Sequence, residues 1–281
     1  MISKNIQHLF LLVTTMLSLA CSNAAADGIS VSTKPLHALV AGIVGKHSSA
    51  MLIIDGITSI HHMSLKPSII RKLHNSKIVI WMGPDIEPYI ENSLRAVPTT
   101  TAIHDPSSHL TSQDVHWWTD PRKAISLIKP LTDIIVENDP DNQSEYESNA
   151  ATLILQLNEM RSEISDSLSP FSKTRFLTLH NAYDGFNSSF DLTGGNAIEH
   201  NGTVGAKTIA TLRKELRKTS IPCVFGEAGG NSAILNALLE GTKTRTGTLD
   251  AMGNNLAAGL QFYENLIRQI ADTYLSCFNA K

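Results

Sequence analysis

The stretch NDPDNQSEYESNAATLILQLNEMRSEISDSLSP, Asn138 to Pro170, decides the fold. Within it apolar residues recur at Tyr146, Ala150, Leu153, Leu157, Met160, Ile164 and Leu168, the intervals of three and four that one face of a helix requires. Asp139 is placed to cap the start, with Pro140 at the first helical position. Ser144 and Glu147 offer a second capping pair, and Ser169-Pro170 ends the run. At 1.5 Å per residue the helix reaches roughly 40 Å, longer than a helix packed inside one domain usually is. The sequence on either side is of similar length and reads as alternating strands and helices. The expectation is an α/β protein of two lobes with parallel-type sheets, joined by one long rigid helix, with any site in the cleft between them. The lobes span residues 27–138 and 170–281, and the linking helix residues 139–169.

Working outward, Ile78 to Met82 is a continuous apolar run that suits a buried parallel strand, and Gly83-Pro84 stops it. Further strands are expected at Ile29–Thr33, Met51–Ile54 and Thr100–Ile103 in the first half. In the second half they are expected at Arg175–Leu179, Cys223–Gly226 and Lys243–Thr248. Asn196 to Gly202 is turn-rich and predicts no strand, and Leu256 to Cys277 predicts a long final helix.

With 281 residues, 42% of them hydrophobic, the chain has the composition of a globular protein. Its net charge is −3 and it has no dense Lys/Arg cluster, which argues against nucleic acid or an anionic membrane surface as partner. The N-terminus differs from the rest. Lys4 precedes an apolar run, Leu9 to Ala20, too short to span a bilayer, and Ala24-Ala25-Ala26 offers a cleavage site before Asp27. Residues 1–26 are therefore read as a cleavable secretory signal peptide. A lipoprotein modified at Cys21 is the second choice, because Ser18 stands where such a signal has a large aliphatic residue. Export leaves Cys223 and Cys277, an even number in an oxidising compartment. A bridge between them would contribute about 4 kcal/mol on the chain-entropy model. Two buried free thiols are the alternative.

His61, His116 and His180 each fall at a strand end or in a loop entering a helix, and Glu227 and Asp250 hold equivalent places in the second half. In open α/β sheets ligand-binding side chains gather at the C-terminal ends of strands. Three imidazoles with a carboxylate or water make the nitrogen-rich four-coordinate set that zinc favours, whereas calcium and magnesium want oxygen. Spacing alone is weak evidence in a chain with 11 histidines.

The flanking sequence carries more. Thr58-Ser59-Ile60-His61 with Leu65-Lys66-Pro67-Ser68, Val79-Ile80-Trp81-Met82-Gly83-Pro84, His116-Trp117-Trp118-Thr119-Asp120-Pro121, His180-Asn181-Ala182-Tyr183 and Gly247-Thr248-Leu249-Asp250 occur in this order along the chain. Together they resemble the zinc-binding periplasmic solute-binding proteins of ABC transporters, in the cluster that also serves manganese. The resemblance implies that Zn²⁺ is bound between the lobes as transported ligand and delivered to an ABC transporter membrane permease by a monomeric receptor that is not an enzyme. It implies His61, His116 and His180 as metal ligands and Asp250, or a water, as the fourth. Glu227 matches the family's strand-end glutamate beside the ligands, and Trp117 and Trp118 are expected to pack beside the site, ordinary core being the alternative for one of them. The cysteine pair resembles the zinc branch as well.

Departures from the family pattern are local. His62 stands where an aspartate is common, Ala228-Gly229-Gly230 follows Glu227 where a proline is common, and the loop from His104 to Asp114 is short where the zinc branch often carries a long acidic, histidine-rich one. His104 and His109 are read as solvated loop residues or the remnant of that metal collector. In the manganese branch the position of His180 is typically glutamate, and a nitrogen donor there favours zinc, which also stands higher in the affinity order. A receptor for Mn²⁺ or Fe²⁺ is the alternative, and a zinc hydrolase with Glu227 as base is a more distant one.

Overall fold

Short apolar strands set the frame of each half. In the computed structural model, which describes residues 28–46, 50–55, 65–110, 115–199, 205–218 and 221–280, the first half opens with β1 (Ile29–Val31), α1 (Lys34–Val44) and β2 (Met51–Leu52). It continues with α2 (Pro67–His74), β3 (Ile78–Ile80), α3 (Pro88–Leu94), β4 (Ala102–His104) and α4 (Pro121–Asn138). The spine, α5, is Gln143–Leu168. The second half runs β5 (Phe176–His180), α6 (Asp184–Ser189), β6 (Gly195–Glu199), α7 (Ala206–Lys218), β7 (Cys223–Glu227), α8 (Ser232–Leu239), β8 (Arg245–Leu249) and α9 (Phe262–Asn279). Residues 1–27, which include Cys21, and His61 and His62 lie outside the described residues.

The strands form two four-stranded sheets in the orders β2-β1-β3-β4 and β6-β5-β7-β8, every pairing parallel. Parallel sheets are covered on both faces, which is why Ile78, Val79 and Ile80 are all buried rather than alternating in and out. In both sheets the chain starts on an inner strand, adds one neighbour, then crosses to the other side. The reversal falls between β1 and β3 in the first sheet and between β5 and β7 in the second.

The seven apolar residues read from the spine sequence are the seven that α5 buries. They pack against α1 and α4 of the first half and α9 of the second. One continuous core consequently runs from Ile29 and Ile80 through Leu157 and Met160 to Phe176, Phe225 and Tyr274, with smaller clusters on the outer faces of the sheets. The start of the spine differs from expectation. Pro140–Asn142 is a 3₁₀ turn. Asp139 does not cap a backbone N–H but accepts from the Tyr146 hydroxyl at 2.5 Å and from Asn142 Nδ2 at 2.9 Å. Ser144 lies inside the helix, and Glu147 accepts from Gln143 Nε2 at 2.7 Å.

Two elements depart from the sequence reading. Gly195–Glu199, which overlaps the stretch read as turn-rich from Asn196 onward, is the edge strand β6. Its composition hides it, because Gly195 is required by a close approach: a Cβ there would sit 2.3 Å from the Phe176 ring. The last helix begins at Phe262 rather than Leu256, since residues 250–261 form an irregular strap with Gly253 and Gly259 at φ of 58° and 139°. A disulfide joins Cys223, the first residue of β7, to Cys277 near the end of α9. Among the described residues no helix is long and apolar enough to cross a membrane.

Candidate metal site between the two sheets

The second sheet brings its chemistry to the expected edge. His180 is the last residue of β5, Glu227 the last of β7, and Asp250 follows β8 directly. Because β5 and β7 flank the point where the chain reverses direction across the sheet, their C-terminal ends open into a crevice. From the first half comes His116, which precedes a 3₁₀ turn, Trp117–Thr119. The turn leads into α4, whose start is capped by Asp120 accepting from the Arg122 N–H at 2.9 Å.

The rings of His116 and His180 meet across the boundary between the halves, 4.8 Å between centres and nearly perpendicular at 89°. Two imidazoles sharing one tetrahedral ion at a metal–nitrogen distance of about 2.0–2.1 Å place their ring centres roughly 5 Å apart. The observed separation fits that arrangement. His116 is almost fully buried at 5% exposure, while the His180 side chain keeps 28%. An ion held there is therefore approached from the His180 side.

Glu227 ties the second-sheet loops together. Its Oε2 accepts from the Tyr183 hydroxyl at 2.5 Å, and its Oε1 accepts from the Ala251 N–H at 3.3 Å. Oε2 lies 4.0 Å from His180 Nδ1, beyond a direct hydrogen bond. Burial pushes the Glu227 carboxyl up to about 7, and the Asp250 carboxylate adds to that, against the two hydrogen bonds, which pull it down. The Tyr183 hydroxyl, fully buried beside Glu227, is raised well above the ordinary phenol range. Near neutrality Glu227 is thus poised between acid and anion, and a cation beside His180 would favour the anion.

Asp250, 5% exposed, spends most of its carboxylate on its own loop. Oδ1 accepts from the Met252 N–H and Asn254 Nδ2, both at 3.0 Å, and Oδ2 from the Asn254 N–H at 2.7 Å. That leaves about one of its roughly four lone-pair directions for anything else. Among the described residues no three His, Cys, Asp or Glu side chains gather closely enough to hold a metal by themselves. His61, the third imidazole expected, lies outside the described residues.

The aromatic pair divides its work. Trp118 packs edge-on against the His116 ring, 5.4 Å between centres. Trp117 is fully buried and meets Trp118 at 6.2 Å. Its indole N–H has no hydrogen-bond partner among the described residues. Sequence reasoning placed the dipeptide beside the site, which holds for Trp118, but did not identify Tyr183 as the partner of Glu227. No local pattern announces which buried aromatic side chain meets a residue from another loop. His104 ends β4, and burial holds its ring below the ordinary imidazole range. His109 closes the 3₁₀ turn that follows.

The family model for ZnuA, zinc-uptake complex component A, periplasmic, matches residues 29–277. The chain belongs to the ZnuA family. Relatives named high-affinity zinc uptake system protein ZnuA include one from Brucella suis, 24% identical over 98% of this chain and 99% of the relative. Another, from Yersinia pestis, is 26% identical over 91% of this chain and 92% of the relative. A crystal structure of ZnuA superposes with a TM-score of 0.79 at 18% identity, covering 89% of this chain and 99% of that one. A ZnuA deletion mutant with zinc bound also gives 0.79, at 18% identity over 91% of this chain and 100% of that one. The solute-binding protein FpvC from Pseudomonas aeruginosa, in complex with Mn²⁺, gives 0.75 at 17% identity over 89% and 97%. The two-sheet architecture with a long connecting helix is thus the architecture of ZnuA-like solute-binding proteins, and the chain is a zinc-uptake component of that family.

Proposed function

We propose that this chain captures Zn²⁺ in the periplasm with His61, His116 and His180, that Asp250 or a water completes the set, and that the loaded protein delivers its ion, as a monomer, to the membrane permease of an ABC transporter. The observation that carries the reading is the perpendicular pair of imidazoles, one from each half, at the separation a shared ion needs. Residues 1–26 act as the export signal. Glu227 joins the His180 loop to the Asp250 loop and places a negative charge near the ion without ligating it. The nitrogen-rich donor set favours zinc over manganese. The role is capture and release, not catalysis.

Because the proposed ligands come from both halves, occupancy of the site is felt by both surfaces that a permease can touch. The test is a competition titration of the metal-free mature protein against a chromophoric zinc chelator. His116→Ala and His180→Ala are each expected to weaken zinc binding by more than about 100-fold, above the 10–100-fold that loss of an outer partner costs. Unchanged affinity in either variant removes that residue from the ligand set. A mixed-metal titration in which Mn²⁺ displaces Zn²⁺ would reassign the cargo.

A further inference from the structure

The 3₁₀ turn after His116 carries more of the contact between the halves than a ligand's support requires. Trp118 donates its indole N–H to the Ala251 carbonyl at 2.8 Å, one residue beyond Asp250. The Trp118 carbonyl accepts from the Tyr263 hydroxyl at 2.8 Å. The Thr119 hydroxyl lies 2.8 Å from the Ala182 carbonyl, two residues beyond His180. All three bonds are buried and cross from the first half to the second, over sequence separations of 133, 145 and 63 residues. The loop bearing His116 is therefore hooked to the loops bearing both second-half candidates, and the side chain at the centre of the hook also packs against the His116 ring.

From this placement we infer that Trp118 is a positioning residue for the zinc site: its indole fixes the His116 ring by contact and fixes the distance between the His116 and Asp250 loops by its bond to Ala251. The inference rests on the site proposed above. It has a physical basis independent of that site's ligand count, because a buried N–H cannot leave its carbonyl without cost. A phenylalanine at this position keeps much of the apolar body and loses the N–H. The Ala251 carbonyl is then left buried and unpaired, and the strap from Asp250 to Gln261 loses its tie to the first half. The His116 ring also loses part of its edge contact.

Trp118→Phe is tested beside two other variants, in the metal-free mature protein reloaded with Zn²⁺ or with Co²⁺ as spectroscopic probe. Tyr146→Phe is the control, because it removes a hydroxyl that donates a part-buried hydrogen bond to Asp139 at the start of the spine, away from the proposed ligands, and loss of a tertiary hydrogen bond remote from the site is thereby tested. Trp118→Phe is expected to weaken zinc binding roughly 10-fold, mainly through faster dissociation, and to alter the visible absorption of bound Co²⁺. Tyr146→Phe is expected to lower thermal stability while leaving affinity within about 2-fold and the Co²⁺ spectrum unchanged. An unaltered spectrum and affinity in Trp118→Phe overturns the inference, as does an equal loss of affinity in Tyr146→Phe. Should Trp118→Phe not fold, Tyr263→Phe, which removes only the hydroxyl bound to the Trp118 carbonyl, must shift the Co²⁺ spectrum, and an unshifted spectrum overturns it. His116→Ala separates the two levels. If it retains zinc the proposed site is wrong. If it loses zinc while Trp118→Phe behaves as wild type, only the positioning role is wrong.

Discussion

Glu227→Gln isolates the proton held at the centre of the site. In the metal-free fold the Glu227 carboxyl is pushed up to about 7 from 4.5, chiefly by burial. Between those values the native protein keeps a proton that the unfolded chain has released, so stability falls as pH rises through the window and the loss is complete above about 7. For this pair of values the stability lost between pH 5 and pH 8 is on the order of 2–3 kcal/mol. The side chain is 19% exposed, so the effect is not screened away by bulk water. Glutamine keeps an oxygen to accept from Tyr183 and cannot titrate. Urea unfolding of wild type and Glu227→Gln, both stripped of metal, at pH 5 and pH 8 gives the comparison. Wild type is expected to lose roughly 2–3 kcal/mol more than the variant over that range. Equal pH dependence in the two proteins, or a wild type that gains relative to the variant, would refute the argument that burial dominates the hydrogen bonds from Tyr183 and Ala251.

Three further outcomes follow from packing and cross-linking. Replacing Cys223 and Cys277 together by serine frees a 54-residue separation and is expected to cost about 4 kcal/mol on the chain-entropy model, read by denaturant unfolding under non-reducing conditions. Gly195→Ala forces a methyl group toward the Phe176 ring, where it would sit at 2.3 Å, and is expected to destabilise by about 1–3 kcal/mol in the same assay. Met160→Ala, in the buried stripe of the spine, is expected to cost about 2–5 kcal/mol and to shift the melting of both halves together, because one core joins them.

The spine was the most legible element. Its seven apolar positions follow helical spacing without a gap, and all seven are buried. The buried parallel strand at Ile78–Ile80 could be read for the same reason, a continuous β-branched run stopped by glycine and proline. The strand Gly195–Glu199 was hidden because its glycine, asparagine and alanine answer to the neighbouring Phe176 ring and to an edge position rather than to strand propensity. At the site, strand ends marked His180, Glu227 and Asp250, since the ends of parallel strands follow from the strand pattern alone. The links between them were invisible. That Tyr183 bonds Glu227, that Trp118 reaches Ala251, and that Asp250 turns most of its oxygens to its own loop depend on which loops the two sheets bring face to face. Sequence distance carries no trace of that.

The central claim is that imidazoles from both halves share one zinc ion. Zinc K-edge X-ray absorption of the stoichiometrically loaded protein tests it most directly, compared with the His180→Ala variant. The account expects a four-coordinate first shell of nitrogen and oxygen at about 2.0–2.1 Å with outer scattering from three imidazoles, reduced to two in the variant. A shell of oxygens alone, or imidazole scattering that does not change when His180 is removed, would contradict it.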